Sequence, residues 1–409
     1  MLKSLRQLHW SIYIISLANG VIMTGFMMVL PLLPGYASQL GFNEYTIGVL
    51  MASFFVGRVL VEFPVGIISD YIGRRLVMWA ALLVFALSTA AYALTTTAAL
   101  MIAFRLVQGA ASSAFVVGSQ AYINDVTPHE LRGLANGVNS SAINSGVIAG
   151  PLLAGFLSQA YSIQTPFWVG SALAGMCFFL SLAIPGAEAG LRAQLGGISI
   201  RLAGISELLR PVLCLPAAAL SAIHFLQWMG LTIFLTIAPI ITAERLGWSP
   251  ELVAAALAAS GAVSALSSPL LGQISDRSGR ILGIAAGLLV MALESLVVLF
   301  HPGTGLTIAA FAIGGLGAPA YFNSFLSLIG DVTTSGQRGA VTGFIGSFGE
   351  WGSIIGSGLI TPLLWHNINS GAPLVADVAV FLATTTFVLA VRSVLTRQLG
   401  GARPAKAQP

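Results

Sequence analysis

Charge is what this sequence has least of: Asp, Glu, Lys and Arg together make up 8% of its 409 residues, against about a quarter in an ordinary soluble domain. With a mean hydropathy of +0.90, such a chain is solvated by lipid over most of its length. Cysteine is nearly absent. Cys177 and Cys214 both fall in apolar runs and read as small core residues, neither a disulfide nor a metal pair. There is no P-loop, which excludes ATP hydrolysis as a driving force. There is no HExxH, GxSxG or clustered ligand set, so no catalytic residue, metal or cofactor is expected. No basic patch interleaved with aromatics occurs, so the net charge of +4 does not point to nucleic acid.

What the sequence does contain is apolar runs long enough to cross a bilayer, about 20 residues each. Twelve are legible: 10–36, 46–68, 76–94, 99–123, 135–160, 165–184, 211–242, 250–274, 281–300, 304–329, 339–364 and 372–394. The first is too long for the apolar core of a signal peptide and has no small-residue cleavage site, so it reads as an uncleaved span. The expected architecture is all-α and polytopic. It comprises a six-helix bundle over 1–184, a cytoplasmic linker over 185–210 and a second six-helix bundle with a short tail over 211–409. In the linker Ile198, Leu202, Ile205 and Leu209 share one helical face, with Arg201 and Arg210 off it. That pattern suits an interfacial helix, and a plain flexible linker is the alternative. Trp10, Trp79, Trp168, Trp248 and Trp365 fall near span ends, where indoles anchor at the headgroups. Trp228 and Trp351 fall mid-span and require another explanation.

The chain is also a duplication. The stretch GIISDYIGRR at Gly66–Arg75 recurs 206 positions later as GQISDRSGRI at Gly272–Ile281, matching Gly66, Ser69, Asp70, Gly73 and Arg74 to Gly272, Ser275, Asp276, Gly279 and Arg280. In the same register Asp125-Val126-Thr127 returns as Asp331-Val332-Thr333, and Gly109, Gly137, Gly146 and Gly150 return as Gly315, Gly343, Gly352 and Gly356. Each copy of the first motif is a very short polar turn between antiparallel spans, its glycines permitting φ > 0 or close approach. Parallel repeats of this kind build transporters with a site at the repeat interface.

On these residues the chain resembles a transporter of the major facilitator superfamily. Gly66, Asp70, Gly73, Arg74 and Arg75 match the family's loop signature between spans 2 and 3, and Arg105, Gln108 and Gly109 resemble its RxxQG motif in span 4. In span 5, Gly137, Gly146, Gly150, Pro151, Ala154 and Gly155 resemble the antiporter motif of the drug:proton exchangers, with Ala154 in place of a glycine. Ala142, Gly146, Gly150 and Ala154 form a small-residue ridge that admits a neighbouring backbone, and Pro151 is expected to bend the helix. Span 11 has Ser357 instead, so a kink of this origin is expected only in the first half. The resemblance covers essentially the whole chain and implies alternating access by rocking of two halves. It also implies a cytoplasmic gate in which Asp70, Arg74 and Asp125, with Asp276, Arg280 and Asp331, form charge clusters. Static inner-surface salt bridges are the alternative reading of those charges.

Ionisable groups within spans are costly and are functional candidates by default: Arg58 and Glu62 in span 2, Arg105 in span 4, His224 in span 7, Glu294 in span 9 and Glu350 in span 11. Arg58, Glu62, Arg105 and Glu350 are the proton-coupling candidates. Arg58 is ten residues from Ile68 and Glu350 eleven from Gly339; at 1.5 Å per residue both lie about 15 Å deep, near the midplane. The family's fold implies that spans 2 and 11 meet, so Arg58 is expected to face Glu350. A locally hydrogen-bonded, permanently neutral Glu350 is the alternative. His224, Gln227 and Trp228 share a face of span 7 and, with Trp351, are the substrate-pocket candidates; His224 reads equally as a satisfied core residue. Span 9 is peripheral in that fold, so Glu294 is expected to be a packing or oligomer contact.

The function this supports is secondary active transport, read as proton-coupled efflux of small amphiphilic or drug-like compounds from the cell membrane, of bacterial inner-membrane type. The expected partners are a small-molecule substrate, protons and membrane lipid, with the protein monomeric. The alternatives are symport or exchange of an anionic metabolite held by Arg58 and Arg105 and, more remotely, a transport-dead receptor or an integral-membrane enzyme. Lys and Arg set the orientation: of the eighteen, fifteen fall on one side of the membrane, counting Arg392 at the inner end of the last span, Arg245 alone in loops on the other, and Arg58 and Arg105 deep within spans. Both termini are therefore expected in the cytoplasm. A reporter active only in the periplasm, fused after Pro409, should be silent; activity there would reverse the orientation.

Overall fold

The computed structural model describes residues 7–128, 131–185, 215–300, 303–332 and 338–392, all helical or in short turns. The linker expected at 185–210 and the tail beyond 392 lie outside the described residues apart from Pro185. The helices are α1 (Trp10–Gln39), α2 (Glu44–Ile72), α3 (Arg74–Leu94), α4 (Ala98–Val126), α5 (Arg132–Ala160) and α6 (Thr165–Ser181). They continue with α7 (Leu215–Leu246), α8 (Pro250–Ser278), α9 (Arg280–Phe300), α10 (Thr304–Gly314), α11 (Gly317–Val332), α12 (Arg338–Ile355), α13 (Thr361–Asn367) and α14 (Ala372–Ala390). Each of the twelve apolar runs carries one or more of them. Among the described residues nine helical segments are long and apolar enough to cross a bilayer, and ten if the bent α8 counts as one span. Helices are the expected solution, because in lipid every backbone N–H and C=O must find its partner within the segment.

The duplicated turn is a single residue in both copies. Gly73 alone separates α2 from α3, Gly279 alone separates α8 from α9, and both have φ of 98°. A side chain at that torsion is strained, which is why glycine occupies both sites. Other ends are fixed by side chains: Asn43 caps α2, its Oδ1 accepting from the Thr46 N–H at 2.9 Å.

Three spans depart from simple rods. Within α8 the segments Ala255–Ser264 and Leu266–Ser275 are inclined by 43°; the ring of Pro269 crowds the carbonyl four residues back and donates no hydrogen bond, which accounts for the bend. Span 10, expected as one helix, is two, broken between α10 and α11 four residues ahead of Pro319, by the same chemistry. Span 11 carries a break of another origin than a proline at the position of Pro151. α5 runs unbroken through Pro151, whereas span 11 is interrupted by a π-helical turn at Gly356–Ile360. Ser357 carries no proline ring, but Pro362, five residues on, does. The Thr361 N–H and hydroxyl both turn to the Gly356 carbonyl, the hydroxyl at 2.9 Å.

The chain divides into two compact units, Met1–Ser199 with Gly247–Ala258, and Ile200–Leu246 with Ala259–Pro409. In the first, α1 lies along α5 and α2 along α4, with α3 and α6 against them. The core includes Ile12, Ile15, Met78, Leu82, Phe85 and Phe115. In the second, α7 lies along α12, and α9 against α11 and α14, around Leu220, Ile223, Leu288, Tyr321 and Phe325.

Backbone contact at glycine holds each pair. A Cβ on Gly109 would lie 1.9 Å from the Phe54 carbonyl oxygen, and one on its repeat mate Gly315 would lie 2.1 Å from that of Ser260, the repeat mate of Phe54. Likewise Gly146 meets Gly20 of α1 and Gly352 meets Phe225 of α7, at 2.3 and 2.1 Å from the carbonyl oxygens.

Gly109→Leu should therefore force α2 and α4 apart, at a cost of about 1–3 kcal/mol or more. Gly137, with nothing within 4 Å of a built Cβ, should accept alanine. Thermal midpoints and chromatographic homogeneity in detergent check this; equal behaviour of the two variants would contradict the close approach.

Candidate functional site

At the turn between α2 and α3, Arg74 opens α3 with its Nε 2.5 Å from Oδ2 of Asp125, near the end of α4. The second unit repeats the pair: Arg280 Nε is 3.2 Å from Asp331 Oδ2 at the end of α11. The side chains of Asp70 and Asp276 lie outside the described residues, as does that of Arg132. Gly66 leaves open space where a Cβ would sit, and its carbonyl accepts from Ser69 at 2.8 Å.

The antiporter-type ridge on α5 serves helix packing. Gly146 and Gly150 admit α1 at Gly20, Thr24 and Met27, and buried Ala154 joins Met28 and Leu32. Gly155 is buried, while Gly137 has open space around it.

Deeper in the first unit the RxxQG residues form one network. Arg105 is fully buried; its Nη1 donates to Gln108 Oε1 at 2.7 Å, and Gln108 Nε2 donates to Thr89 Oγ1 at 2.7 Å. The guanidinium lies over the Phe54 ring, 4.6 Å from its centroid, and 5.5 Å from that of Phe26. Its Nε and Nη2 have no hydrogen-bond partner among the described residues. Arg58 comes to the same ring from α2, at 6.0 Å, and donates to Ser112 of α4 at 3.2 Å. The motif thus has a geometric reading: Gln108 steers the arginine, and Gly109 lets α2 bring Phe54 beneath it. Glu62 is on α2 one turn beyond Arg58, and Glu350 is on α12 of the second unit.

In the second unit the candidates on α7 separate. His224 is committed on both nitrogens: Trp228 Nε1–H donates to its Nε2 at 3.1 Å, and its Nδ1 is 3.3 Å from the Tyr321 hydroxyl. Because Nε2 accepts, the proton is on Nδ1 and the ring is neutral. It stacks on Phe325 at 4.9 Å and 6°, and Trp228, one turn on, packs edge-on against it at 6.1 Å. Gln227 is fully buried, and neither end of its amide has a partner among the described residues. Trp351 lies elsewhere. It is half-exposed on α12 and lines a cavity of about 590 Å³ with Ser221 and Phe225 of α7 and Phe344, Phe348 and Ile355.

The sequence reading misses Asp377. This acid on α14 is fully buried, with Oδ2 2.5 Å from Ser295 Oγ of α9, and a Cβ on Gly230 of α7 would meet its Oδ1 at 2.8 Å. Glu294, on α9 next to Ser295, has its carboxyl fitted against Gly314. Ser295 thus places Asp377 beside the stretch of α9 that carries Glu294. As the one acid of span 12, Asp377 was open to the same rule that singled out Glu294. Among the described residues no three His, Cys, Asp or Glu converge as a metal site.

Comparison with known proteins sets this geometry in a family. The family model described as Major Facilitator Superfamily matches residues 15–357 and 220–409. Among curated proteins the chain is 24% identical to the quinolone resistance protein NorA of Staphylococcus aureus over 395 residues, covering 95% of this chain and 96% of that protein. It is 26% identical to multidrug resistance protein 2 of Bacillus subtilis over 377 residues, 90% and 92% of the two chains. Similar solved structures include a D-xylose–proton symporter, with TM-score 0.76 at 16% identity over 93% of this chain and 97% of that one. A bacterial homologue of the lysosomal transporter Spinster, inward-facing and unoccupied, gives 0.74 at 14% identity over 97% and 98%. The chain belongs to the Major Facilitator Superfamily and is a secondary transporter, not an enzyme.

Proposed function

We propose that this protein is a proton-coupled exporter of small amphiphilic, drug-like compounds, working by alternating access in the cell membrane with both termini in the cytoplasm. The observation that carries the substrate class is the cavity of about 590 Å³ in the second unit, lined by Phe225, Phe344, Phe348 and Trp351 and by no charged side chain. That size and lining suit an aromatic, drug-sized molecule. The two resistance proteins that match over nearly the whole chain support the same class. A second reading, import or exchange of a small anion, draws on Arg105, whose Nε and Nη2 lack partners among the described residues. Its burial behind Phe26 and Phe54 favours a role inside the helix packing over contact with a solute. In proteoliposomes, an imposed pH gradient should drive accumulation of a lipophilic dye in the direction opposite to proton flow. Gradient-driven uptake of organic acids with no dye movement would replace this reading with the second.

In this mechanism the Arg74–Asp125 and Arg280–Asp331 pairs are latches at the inner ends of their units, stabilising one access state. Partly exposed pairs contribute only about 0.2–1 kcal/mol, yet access states differ by only a few kcal/mol, so such a change alters their populations. Arg74→Ala and Asp125→Asn should each slow transport a few-fold with membrane levels unchanged. The exchange Arg74→Asp with Asp125→Arg should recover part of it. Wild-type rates in both single variants would reduce the pair to a structural contact.

Glu350 is the proposed proton carrier, near the midplane on a helix whose far end is softened by the π-helical turn at Gly356–Ile360. An ionisable group at such depth is costly unless it serves transport. Glu350→Gln should abolish gradient-driven movement while leaving dye binding and downhill exchange intact. Undiminished proton-coupled transport would remove Glu350 from the coupling machinery.

A further inference from the structure

Asp377 is a fully buried acid for which the mechanism above has no use. It sits on the buried stripe of α14 with Leu374, Phe381 and Thr384, at a place where packing alone calls for an apolar residue. Its hydrogen bonds disclose its charge. Ser295 Oγ lies 2.5 Å from Asp377 Oδ2 and 3.1 Å from the carbonyl of Met291, one turn back on α9. A hydroxyl has one hydrogen to give and a carbonyl has none. The hydroxyls of α14 spend theirs on the preceding turn, Thr384 on Val380 O at 2.6 Å and Thr385 on Phe381 O at 2.8 Å. With Ser295 doing the same toward Met291, the hydrogen between Ser295 and Asp377 belongs to the acid. An ionised Asp377 would instead keep its charge out of water on a single hydrogen bond, at far greater cost than the neutral form. The helices packed against α14 offer no counter-ion. On α9 there are Glu294, of the same sign, and at the far end Arg280, which is paired with Asp331. On α7 there are His224, neutral between Trp228 and Tyr321, and the terminal Glu244 and Arg245; on α13 there is His366. Among the described residues Oδ2 bonds to Ser295 and Oδ1 to nothing.

The cover over Oδ1 is α7. A Cβ on Gly230 would meet Oδ1 at 2.8 Å and the Phe381 ring at 2.9 Å, so glycine is what lets α7 close over the acid. The same turn of α7 is engaged on span 11 as well. Gly356, the first residue of the π-helical turn, admits the Met229 carbonyl, and the Thr232 hydroxyl reaches Ser353 O at 3.4 Å. One turn of α7 thus touches both the buried acid and the softened part of span 11. We propose that Asp377 is a second proton-binding site of this transporter, distinct from Glu350, loaded in the conformation seen here and closed by α7 at Gly230, so that its proton leaves when α7 and α14 part. The step is a proton transfer alone. The Asp377 O–H bond breaks, an entering water takes the proton, and the carboxylate stays until it is reloaded. This goes beyond the export reading and holds for either direction of solute movement.

The test is infrared spectroscopy of the full chain in lipid nanodiscs, read at the carbonyl stretch of un-ionised carboxylic acids. At pH 8, where an exposed carboxyl is ionised, the wild type should show an acid band that Asp377→Asn removes. Asparagine keeps the shape and a donor for Ser295 but carries no exchanging acid proton. A spectrum in this region left unchanged by Asp377→Asn would mean an ionised Asp377 and overturn the site. Transfer of the wild type to D2O should then shift the band as deuterium replaces the proton. A band that never shifts would make Asp377 a fixed structural acid and overturn its role as an exchanging site; this reading needs no variant. Gly230→Ala, which sets a methyl against Oδ1 and parts the two helices, should speed the shift several-fold. An unchanged rate in that variant, shown to be folded by circular dichroism and elution volume, would overturn α7 as the cover. None of these readings requires a transported solute. Failure of the export reading therefore leaves them standing, and failure here leaves export with Glu350 alone.

Discussion

Close approach of helix backbones at glycine is the constraint on which the rest of this molecule depends. Between helices in lipid there is no water to expel, so association rests on van der Waals contact and on what few hydrogen bonds can be made. Where Gly109 meets Phe54, where Gly315 meets Ser260, and where Gly146 and Gly352 meet Gly20 and Phe225, a side chain on either unit would strike a carbonyl oxygen. These contacts fix the rotation of α2 against α4 and of α1 against α5, with the same result in the second unit. Once rotation is fixed, so is which residue of each helix faces inward. Phe54 lies under Arg105 because Gly109 lets it in, and Gly349 leaves room for the His224 and Trp228 side chains of α7.

A lipid-embedded chain cannot leave polar groups to water, and several of those buried here are tied into hydrogen-bonded chains. Arg105 donates to Gln108, and Gln108 in turn to Thr89. Asn19 of α1 joins Ser119 and Asn139 of α4 and α5, at 3.1 and 2.8 Å, tying three helices of the first unit. His224 is neutral and held between Trp228 and Tyr321.

The two halves reach similar ends by different chemistry. Gly73 and Gly279 share one torsion and one role. The site where span 5 carries Pro151 and stays a single helix has its counterpart in span 11, where Pro362 and Thr361 open a π-helical turn. Such turns are local weaknesses in the hydrogen-bond ladder and recur at functional positions. The duplication therefore preserves the contacts that set helix rotation and lets the flexible points move along the helix.

Local rules made much of this legible beforehand. Apolar length located twelve segments, and the paired GxxSDxxGR turns located two single-residue junctions, because the need for internal hydrogen bonding and the torsional freedom of glycine act over a few residues. The ridge on α5 was equally readable as a place for another backbone, though not which one. The breaks in spans 10 and 11 were open to the sequence through Pro319 and Pro362, but an apolar run hides them, since hydropathy does not register a missing donor. The pocket residues were not legible. His224, Gln227, Trp228 and Ser221 all sit on α7 at spacings that assign them to faces, and only the arrival of Tyr321, Phe325 and Trp351 from a hundred residues away decides which face is core and which is cavity. Asp377 acquires its meaning the same way, from Ser295 on α9. The sequence by itself determined the helical, lipid-facing character of the apolar runs and their duplication, because those follow from neighbours along the chain. Which polar groups are spent on the fold and which are left for a ligand was decided only by tertiary structure, because a hydrogen bond's partner is a matter of three-dimensional position.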